Sequence, residues 1–212
     1  MNRLTFLLAK LTRNEAALQA MSRPVEGELT GKRVALIGNA RSLSQGGFGP
    51  RIDAHDLVIR INNAPIPDTA THGARTDWMA MSMPAPRDII AARAPSRLLW
   101  MTRKRKRLPW GLVSDQRFFL NPVENVTRLR SELGAPPTTG AMLIDLLVRS
   151  DATEISLFGF DFFKSLSLSG NRTAAQVKHD FTSEADWVAR LIETDPRLKL
   201  CRADADTTED TE

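Results

Sequence analysis

The chain has 212 residues, of which 42% are hydrophobic and 25% charged, so it can build one globular domain and is not an intrinsically disordered protein. Its formal charge of +4 favours anionic ligands but is too small to indicate a nucleic-acid-binding protein by itself. The single cysteine, Cys201, excludes an internal disulfide framework and a cysteine-rich zinc site. It also favours a reducing compartment, so we expect a cytoplasmic protein.

The first 30 residues are predicted to form an amphipathic helix followed by a polar linker. Leucines recur at helical spacing among basic residues, at positions 4, 7, 8 and 11. The apolar stretch is too short to span a bilayer. Two interpretations remain open: the leucines pack on the protein's own domain, or the helix lies on an anionic membrane, in which case the protein sits peripherally at its inner face.

Strands and helices alternate along the rest of the chain. Strands are predicted at residues 33–37, 56–61, 77–82, 97–101, 118–120 and 154–158, and helices at residues 84–94, 129–133, 140–149 and 184–194. This order predicts a single α/β domain over residues 31–200, with a Rossmann-like, mostly parallel sheet covered by helices on both faces. Residues 201–212 are expected to be a disordered acidic tail.

Small and polar residues follow three of the predicted strands. In open parallel sheets, ligands bind beyond the carboxyl ends of the strands, where Gly38, Asn39, Asn62 and Gly159 would lie. The dinucleotide fingerprint is missing because Ala40 takes the place of its second glycine, and no P-loop lysine follows. Uncharged asparagines suit a sugar, a base or a single phosphate, although each could equally close a turn.

A helix start at residues 136–140 is the strongest candidate for an anion site. Two prolines precede Thr138, Thr139 and Gly140, and the unpaired N–H groups of a helix start favour a bound anion. The alternative is a plain helix cap, for which one threonine would be enough.

Of the three histidines, only His179 lies in a setting that favours catalysis. It precedes a helix start and follows Lys178, and both features keep an imidazole neutral and able to accept a proton. Glu184 is either a first-turn carboxylate favoured by the helix dipole or a partner that orients this base. His55 and His72 are expected to be surface residues in a turn and a loop.

The sequence gives little reason to expect a metal. It contains no H-E-x-x-H motif, and its only D-x-D lies in the acidic tail. The basic run at residues 103–107 is expected to be a solvated loop, or else a contact for an anionic acceptor, a lipid surface or a nucleic acid.

Together these segments resemble the animal-type sialyltransferases of glycosyltransferase family 29. The large sialylmotif of that family resembles "IGNARSL" and "GPRIDAHDLVIRINNAP", followed by "HGARTD". The small motif resembles "PTTGAMLIDLLVRSDATEISLFGFD", and the very small motif corresponds to His179 and Glu184. The resemblance covers residues 34–187 and implies a Rossmann-like, GT-A-like glycosyltransferase fold.

The resemblance also implies a donor and roles for named residues. The donor would be a cytidine monophosphate (CMP) sugar, contacted by the residues Gly38, Asn39, Asn62, Thr138, Thr139, Gly140 and Gly159. His179 would take the proton from the acceptor hydroxyl, with Glu184 and Lys178 in support. The reaction would invert the anomeric centre without a metal or other cofactor, and the sugar would be sialic acid or a relative such as Kdo.

Three features depart from the family pattern. The two motif cysteines are absent, no membrane anchor is seen, and no histidine lies between Gly159 and His179 to represent a further phosphate-binding motif. We expect Lys164, Arg172 or Lys178 to substitute for that motif. The resulting expectation is a bacterial cytoplasmic enzyme that decorates a lipopolysaccharide, capsule or similar glycan. The alternatives are a non-catalytic nucleotide-binding module, a nucleotide-dependent oxidoreductase and a basic nucleic-acid-binding protein.

Overall fold

The computed structural model describes residues 2–63, 65–161 and 180–202. Within these ranges the strands are β1 (Arg33–Ile37), β2 (Leu57–Ile61), β3 (Trp78–Met81), β4 (Arg97–Trp100), β5 (Phe118–Leu120), β6 (Glu154–Phe158) and β7 (Leu198–Cys201). The α-helices are α1 (Arg3–Thr12), α2 (Glu15–Gln19), α3 (Glu26–Leu29), α4 (Gly49–Asp53), α5 (Thr69–His72), α6 (Arg87–Arg93), α7 (Trp110–Val113), α8 (Val123–Leu133), α9 (Thr139–Val148) and α10 (Phe181–Thr194).

The strands form one sheet in the order β5-β4-β3-β2-β1-β6-β7, and every pairing in the described chain is parallel. β1 lies between β2 and β6, with Val34 opposite Leu57 on one side and Ile155 on the other. The chain builds outward from β1 to β5 and then returns to place β6 on the other side of β1. The strand order therefore reverses between β1 and β6, where open α/β sheets bind their ligands.

The central strands are buried on both faces. In β1, Val34 and Leu36 pack into one layer and Ala35 and Ile37 into the other. Helices α3, α8, α9 and α10 cover the first face. On the second face, α1, α2 and α7 lie over β3, β4 and β5, and α4 lies over β1, β2 and β6. The predicted layered α/β architecture is confirmed.

Several element boundaries differ from the predictions. Helix α8 begins at Val123 and α10 at Phe181, earlier than predicted, and α6 is shorter. The earlier start of α10 has a clear cause, because the Asp180 carboxylate accepts hydrogen bonds from the Thr182 and Ser183 N–H groups. Strand β7 was not predicted, and it ends at Cys201, one residue beyond the predicted domain boundary.

The predicted polar linker after the first helix contains α3. Val25 and Leu29 are fully buried and belong to the core formed by α8, α9 and α10. The two buried residues stand among charged ones in the sequence, so the helical spacing of this one short turn was not recognised. The segment is thus part of the domain's packing.

Helix α1 packs on the domain through a face that the sequence did not single out. Phe6 and Ala9 are buried, and the Phe6 ring lies 5.5 Å from that of Trp110. The leucine stripe at positions 4, 7, 8 and 11, which one of the two interpretations packed on the domain, is exposed. In the described part of the chain, no helix is long and apolar enough to cross a bilayer.

The ends of β1 and β6 meet in a close backbone contact. The Gly38 N–H donates to the Phe158 carbonyl at 2.7 Å, and the Ala40 N–H donates to the Gly159 carbonyl at 3.1 Å. A Cβ atom placed on Gly38 would lie only 2.2 Å from the Gly159 oxygen. Gly159 has a φ of 68°, which favours glycine. The neighbouring strand, rather than a ligand, therefore requires a glycine at position 38.

Replacement of Gly38 by alanine should strongly destabilise the fold. The new methyl group forces the two strand ends apart, and we expect Gly38→Ala to lower the free energy of unfolding by about 2–3 kcal/mol, as overpacking does elsewhere. Gly47→Ala is the matched control, because this exposed glycine has nothing within 4 Å of an added Cβ. Urea denaturation followed by circular dichroism measures both variants. Equal stabilities would contradict the contact.

Candidate functional site

The structure brings the predicted strand ends together at one edge of the sheet. The sheet places four parallel strands side by side, in the order β3-β2-β1-β6. The residues that follow these strands therefore lie along the same edge. The start of α9 joins this edge, because the hydroxyls of Ser82, which follows β3, and Thr139 lie 2.8 Å apart. Ser82 was not predicted, although a serine directly after a buried strand is the signal that would have suggested it.

The two predicted asparagines have different environments. Asn39 follows the β1–β6 contact and is buried. Asn62 is half-buried at the end of β2, and its N–H donates to the Ala80 carbonyl at 2.7 Å. Its φ of 53° lies in the left-handed region, which asparagine tolerates better than most residues. The backbone therefore turns sharply at Asn62 and keeps that side chain at the sheet edge.

Arg60 fixes the end of β2 immediately before this turn. Its side chain is fully buried and donates to the carbonyls of Arg75, His72 and Gly73 at 2.8, 2.8 and 3.1 Å. Burial lowers its pKa to about 10. The guanidinium thus ties β2 to the loop before β3, two residues before Asn62. In the sequence, this arginine is recognisable only as part of the segment that resembles the large sialylmotif.

The expectation that His55 and His72 are surface residues is wrong. Both are buried. His55 packs edge-on against Phe158, and its Nδ1 lies 2.8 Å from the Arg51 carbonyl. Burial is also the main cause of the lowered pKa of His72. Their polar neighbours in the sequence gave no sign that either ring is buried.

Helix α9 presents the first-turn N–H groups of Thr139 and Gly140 at the sheet edge. Thr138 caps the helix, because its Oγ1 accepts a hydrogen bond from the Ala141 N–H at 3.0 Å. The N–H groups of Thr139 and Gly140 have no acceptor within the helix, as at any helix start. Together with the positive end of the helix dipole, they favour an anion at this point.

Phe160 lies between the β1 end and the α9 start, and the sequence did not identify it. A Cβ atom on Gly140 would lie 2.8 Å from the Phe160 ring, and one on Gly38 would lie 3.1 Å from it. Gly140 is therefore needed for the ring to approach the helix. The ring places an apolar surface beside the anion-favouring N–H groups, a combination typical of ligand sites that hold an organic group next to a phosphate.

Glu184 connects the starts of α9 and α10. Its buried carboxylate accepts hydrogen bonds from the N–H and the hydroxyl of Thr138, at 2.7 and 2.8 Å. Burial raises the pKa of Glu184 to about 7. The Thr138 hydroxyl proton is thus used by Glu184, so in this arrangement it is not available to a phosphate, and the backbone N–H groups remain the donors.

Four predicted residues lie outside the described residues. They are His179 and Lys178, together with the proposed substitutes Lys164 and Arg172. The described partner of Glu184 is Thr138, which the sequence did not suggest, because 46 positions separate the two residues.

The described residues provide no metal centre and only a partly solvated basic run. Within the described ranges, no group of three or more His, Cys, Asp or Glu side chains is placed to hold a metal ion. Arg105 is half-buried, forms an ion pair with Glu15 and donates to the carbonyls of Thr102 and Asn121 at 2.8 and 2.7 Å. Its charge therefore stabilises the fold and is not presented to a nucleic acid.

The raised pKa of Glu184 predicts a specific pH dependence of stability. The folded chain holds this proton more tightly than the unfolded chain, so the contribution of Glu184 to the free energy of unfolding falls as pH rises from about 4.5 to about 7 and is then constant. The Glu184→Gln variant lacks this titration. We expect the wild type to lose about 3 kcal/mol relative to the variant across that range.

Urea denaturation of both proteins at several pH values measures this difference. A difference in stability that stays flat between pH 4.5 and pH 7 would contradict the burial of an ionisable group at this contact.

The chain matches known proteins in sequence over limited segments. Residues 3–106, about half of the chain, match the family model "Glycosyltransferase family 29 (sialyltransferase)". A segment of 46 residues is 44% identical to mouse CMP-N-acetylneuraminate-beta-galactosamide-alpha-2,3-sialyltransferase 1, covering 21% of this chain and 14% of that protein. A segment of 66 residues is 42% identical to rice sialyltransferase-like protein 2, covering 29% and 16%. The matches thus span less than a fifth of these relatives' lengths.

Solved structures match over most of the chain. A mammalian sialyltransferase in complex with Gal-beta-1-3GalNAc-ortho-nitrophenol superposes with a TM-score of 0.64 and 17% identity, covering 96% of this chain and 87% of that one. The sialyltransferase CstII from Campylobacter jejuni, in complex with the substrate analogue CMP-3FNeuAc, gives a TM-score of 0.55 and 14% identity, covering 79% of both chains. The predicted GT-A-like fold class is confirmed, and residues 3–106 belong to the sialyltransferase family, glycosyltransferase family 29.

Proposed function

We propose that the chain is an inverting, metal-independent glycosyltransferase that moves sialic acid, or a related acidic sugar such as Kdo, from a CMP donor to a glycan hydroxyl. The observation that carries this proposal is the meeting of the β1 and β6 ends with the start of α9, where N–H groups that favour an anion lie beside the Phe160 ring. The family match of residues 3–106 supports the same chemistry.

The donor's single phosphate would lie at the N–H groups of Thr139 and Gly140. Asn39 and Asn62, which follow the two adjacent strands β1 and β2, would contact the phosphate and the ribose. The contact between Gly38 and Gly159 supports these positions. The positive end of the helix dipole would stabilise the charge that grows on the leaving phosphate.

Transfer breaks the bond between the anomeric carbon and the phosphate oxygen, and CMP leaves with that electron pair. The acceptor hydroxyl oxygen attacks the opposite face of the sugar through an oxocarbenium-like transition state, which inverts the anomeric centre. His179 would take the hydroxyl proton. Its place directly before Asp180, the N-cap of α10, supports a neutral imidazole, because the positive end of that helix disfavours a charged ring.

Metal independence has a physical basis in the leaving group. A monophosphate develops less negative charge than a diphosphate, and N–H groups at a helix start are suited to stabilise it.

The proposed setting is the cytoplasm of a bacterium, where the acceptor would be a lipopolysaccharide or another cell-surface glycan. The alternative function is a non-catalytic module that binds the same nucleotide.

The proposed base is tested by His179→Ala. We expect transfer from a CMP-sugar to slow by about a hundredfold or more, as for loss of a general base. Calorimetry should show CMP affinity unchanged within about threefold, because the imidazole acts on the acceptor. Thr182→Ala, an exposed position in the first turn of α10, is the control and should leave both measurements unchanged.

Undiminished transfer in His179→Ala would refute the base assignment. A wild-type protein that binds CMP but turns over no CMP-sugar with any acceptor would instead favour the non-catalytic module.

The donor and the metal independence are tested together with a panel of nucleotide sugars in the presence of EDTA. We expect CMP-sialic acid or CMP-Kdo to raise the melting temperature and to undergo slow hydrolysis, because a ligand that binds only the folded chain stabilises it. UDP-sugars and NAD are the controls and should have no effect. A strict requirement for a divalent ion, or a response confined to NAD, would contradict the proposal.

A further inference from the structure

Large exposed hydrophobic side chains are concentrated on one part of the surface. In the described part of the chain, four of the five lie in α1, with exposed fractions of 75% for Leu4, 49% for Leu7, 58% for Leu8 and 82% for Leu11. We call these four side chains the leucine ridge. The fifth is Met83, at 52%. Contiguous exposed apolar side chains of this kind mark an interaction surface, whereas single ones do not.

The ridge is held rigidly because the opposite side of α1 is anchored. Phe6 and Ala9 are buried in the layer that covers β3, β4 and β5. The ammonium group of Lys10 donates to the carbonyls of Lys106 and Leu108 at 3.1 and 2.8 Å. Helix α1 is therefore fixed to the domain, and the ridge keeps its outward orientation.

A basic loop, residues 103–107, lies beside α1. Lys10 joins it to α1, and Arg105 joins it to α2 through Glu15. The other four members, Arg103, Lys104, Lys106 and Arg107, are exposed. Arg107 also contacts Met83, with 2.8 Å between Nη1 and Sδ. Each of the five large hydrophobic side chains that are exposed in the described ranges thus either belongs to α1 or, for Met83, contacts this loop.

The charged side chains of α1, of its C-cap Arg13 and of the basic loop are all positive. Arg3 and Arg13, at the two ends of α1, are exposed. Neither residues 2–14 nor residues 101–110 contain an aspartate or a glutamate. The combination is an apolar stripe bordered by basic side chains, which is the arrangement of helices that lie in the interface of anionic membranes.

We propose that α1 and the basic loop form a docking surface for an anionic lipid membrane. The leucine ridge enters the boundary between headgroups and acyl chains, and the loop contacts the lipid phosphates. A second copy of the chain fits this surface less well, because facing copies would oppose like charges. The inference stands independently of the proposed transfer reaction, since it uses none of the residues of the candidate site.

The proposal is tested by co-sedimentation of the full chain with lipid vesicles. Vesicles of phosphatidylcholine alone are compared with vesicles that also contain phosphatidylglycerol, at two salt concentrations. We expect the wild type to bind the anionic vesicles about tenfold or more tightly than the neutral ones, with binding that weakens at higher salt.

Two variants separate the apolar and the charged contributions. The ridge variant Leu8→Gln/Leu11→Gln keeps good helix formers at exposed positions and should bind anionic vesicles about tenfold or more weakly. The loop variant Lys104→Ser/Lys106→Ser leaves α1 unchanged and should weaken binding to a similar degree. The control Arg130→Ser/Arg190→Ser removes two exposed charges from α8 and α10 and should bind like the wild type.

Circular dichroism and analytical ultracentrifugation of each variant complete the test. If the ridge variant melts at a lower temperature, the loop variant decides the outcome, because it leaves the ridge intact. Absence of wild-type binding to anionic vesicles would overturn the proposal, as would full binding by the loop variant. A wild-type dimer that the ridge variant abolishes, without lipid binding, would assign the surface to self-association instead.

Discussion

The contact between the ends of β1 and β6 is the constraint on which the rest of the site depends. Gly38 and Gly159 bring two strands together at the point where the strand order of the sheet reverses, and a side chain at position 38 would collide with the Gly159 carbonyl. The chain leaves this contact in one direction toward Asn39 and in the other toward Phe160. Both residues are therefore placed by the backbone geometry of this contact.

A second contact adds the helix start to this arrangement. The Glu184 carboxylate holds the Thr138 backbone N–H and hydroxyl, so the beginnings of α9 and α10 are fixed relative to each other. Because burial raises the pKa of Glu184 to about 7, the group is partly protonated near neutral pH. A neutral carboxyl next to the α9 start repels an anion less than a carboxylate would, so the contact is compatible with the anion site.

The sequence predicted the parts of the fold that have strong periodicity. The apolar runs of β1 and β6, the helix that begins near Gly140 and the glycines at the strand ends were recognised, and they account for the parallel sheet and for the edge that carries the candidate site. The long-range contacts were not predictable, because residues such as Glu184 and Thr138 pair across 46 positions.

The local sequence pattern did not reveal which side chains are buried where burial depends on contact with another helix or strand. His55 and His72 lie among polar neighbours in the sequence, yet both side chains are buried. The leucines of α1 were the most apolar stripe of that helix, yet Phe6 and Ala9 form the packed face. Periodicity identifies an amphipathic helix, but the shape of the surface that it meets decides which side is buried.

The central claim is that a nucleotide monophosphate binds where the β1 and β6 ends meet α9. A crystal structure of the chain grown with CMP and EDTA tests this most directly. The account predicts a phosphate within hydrogen-bonding distance of the Thr139 and Gly140 N–H groups, with the nucleoside beside Phe160 and the two asparagines. A nucleotide bound elsewhere on the chain, with the α9 start unchanged, would contradict it.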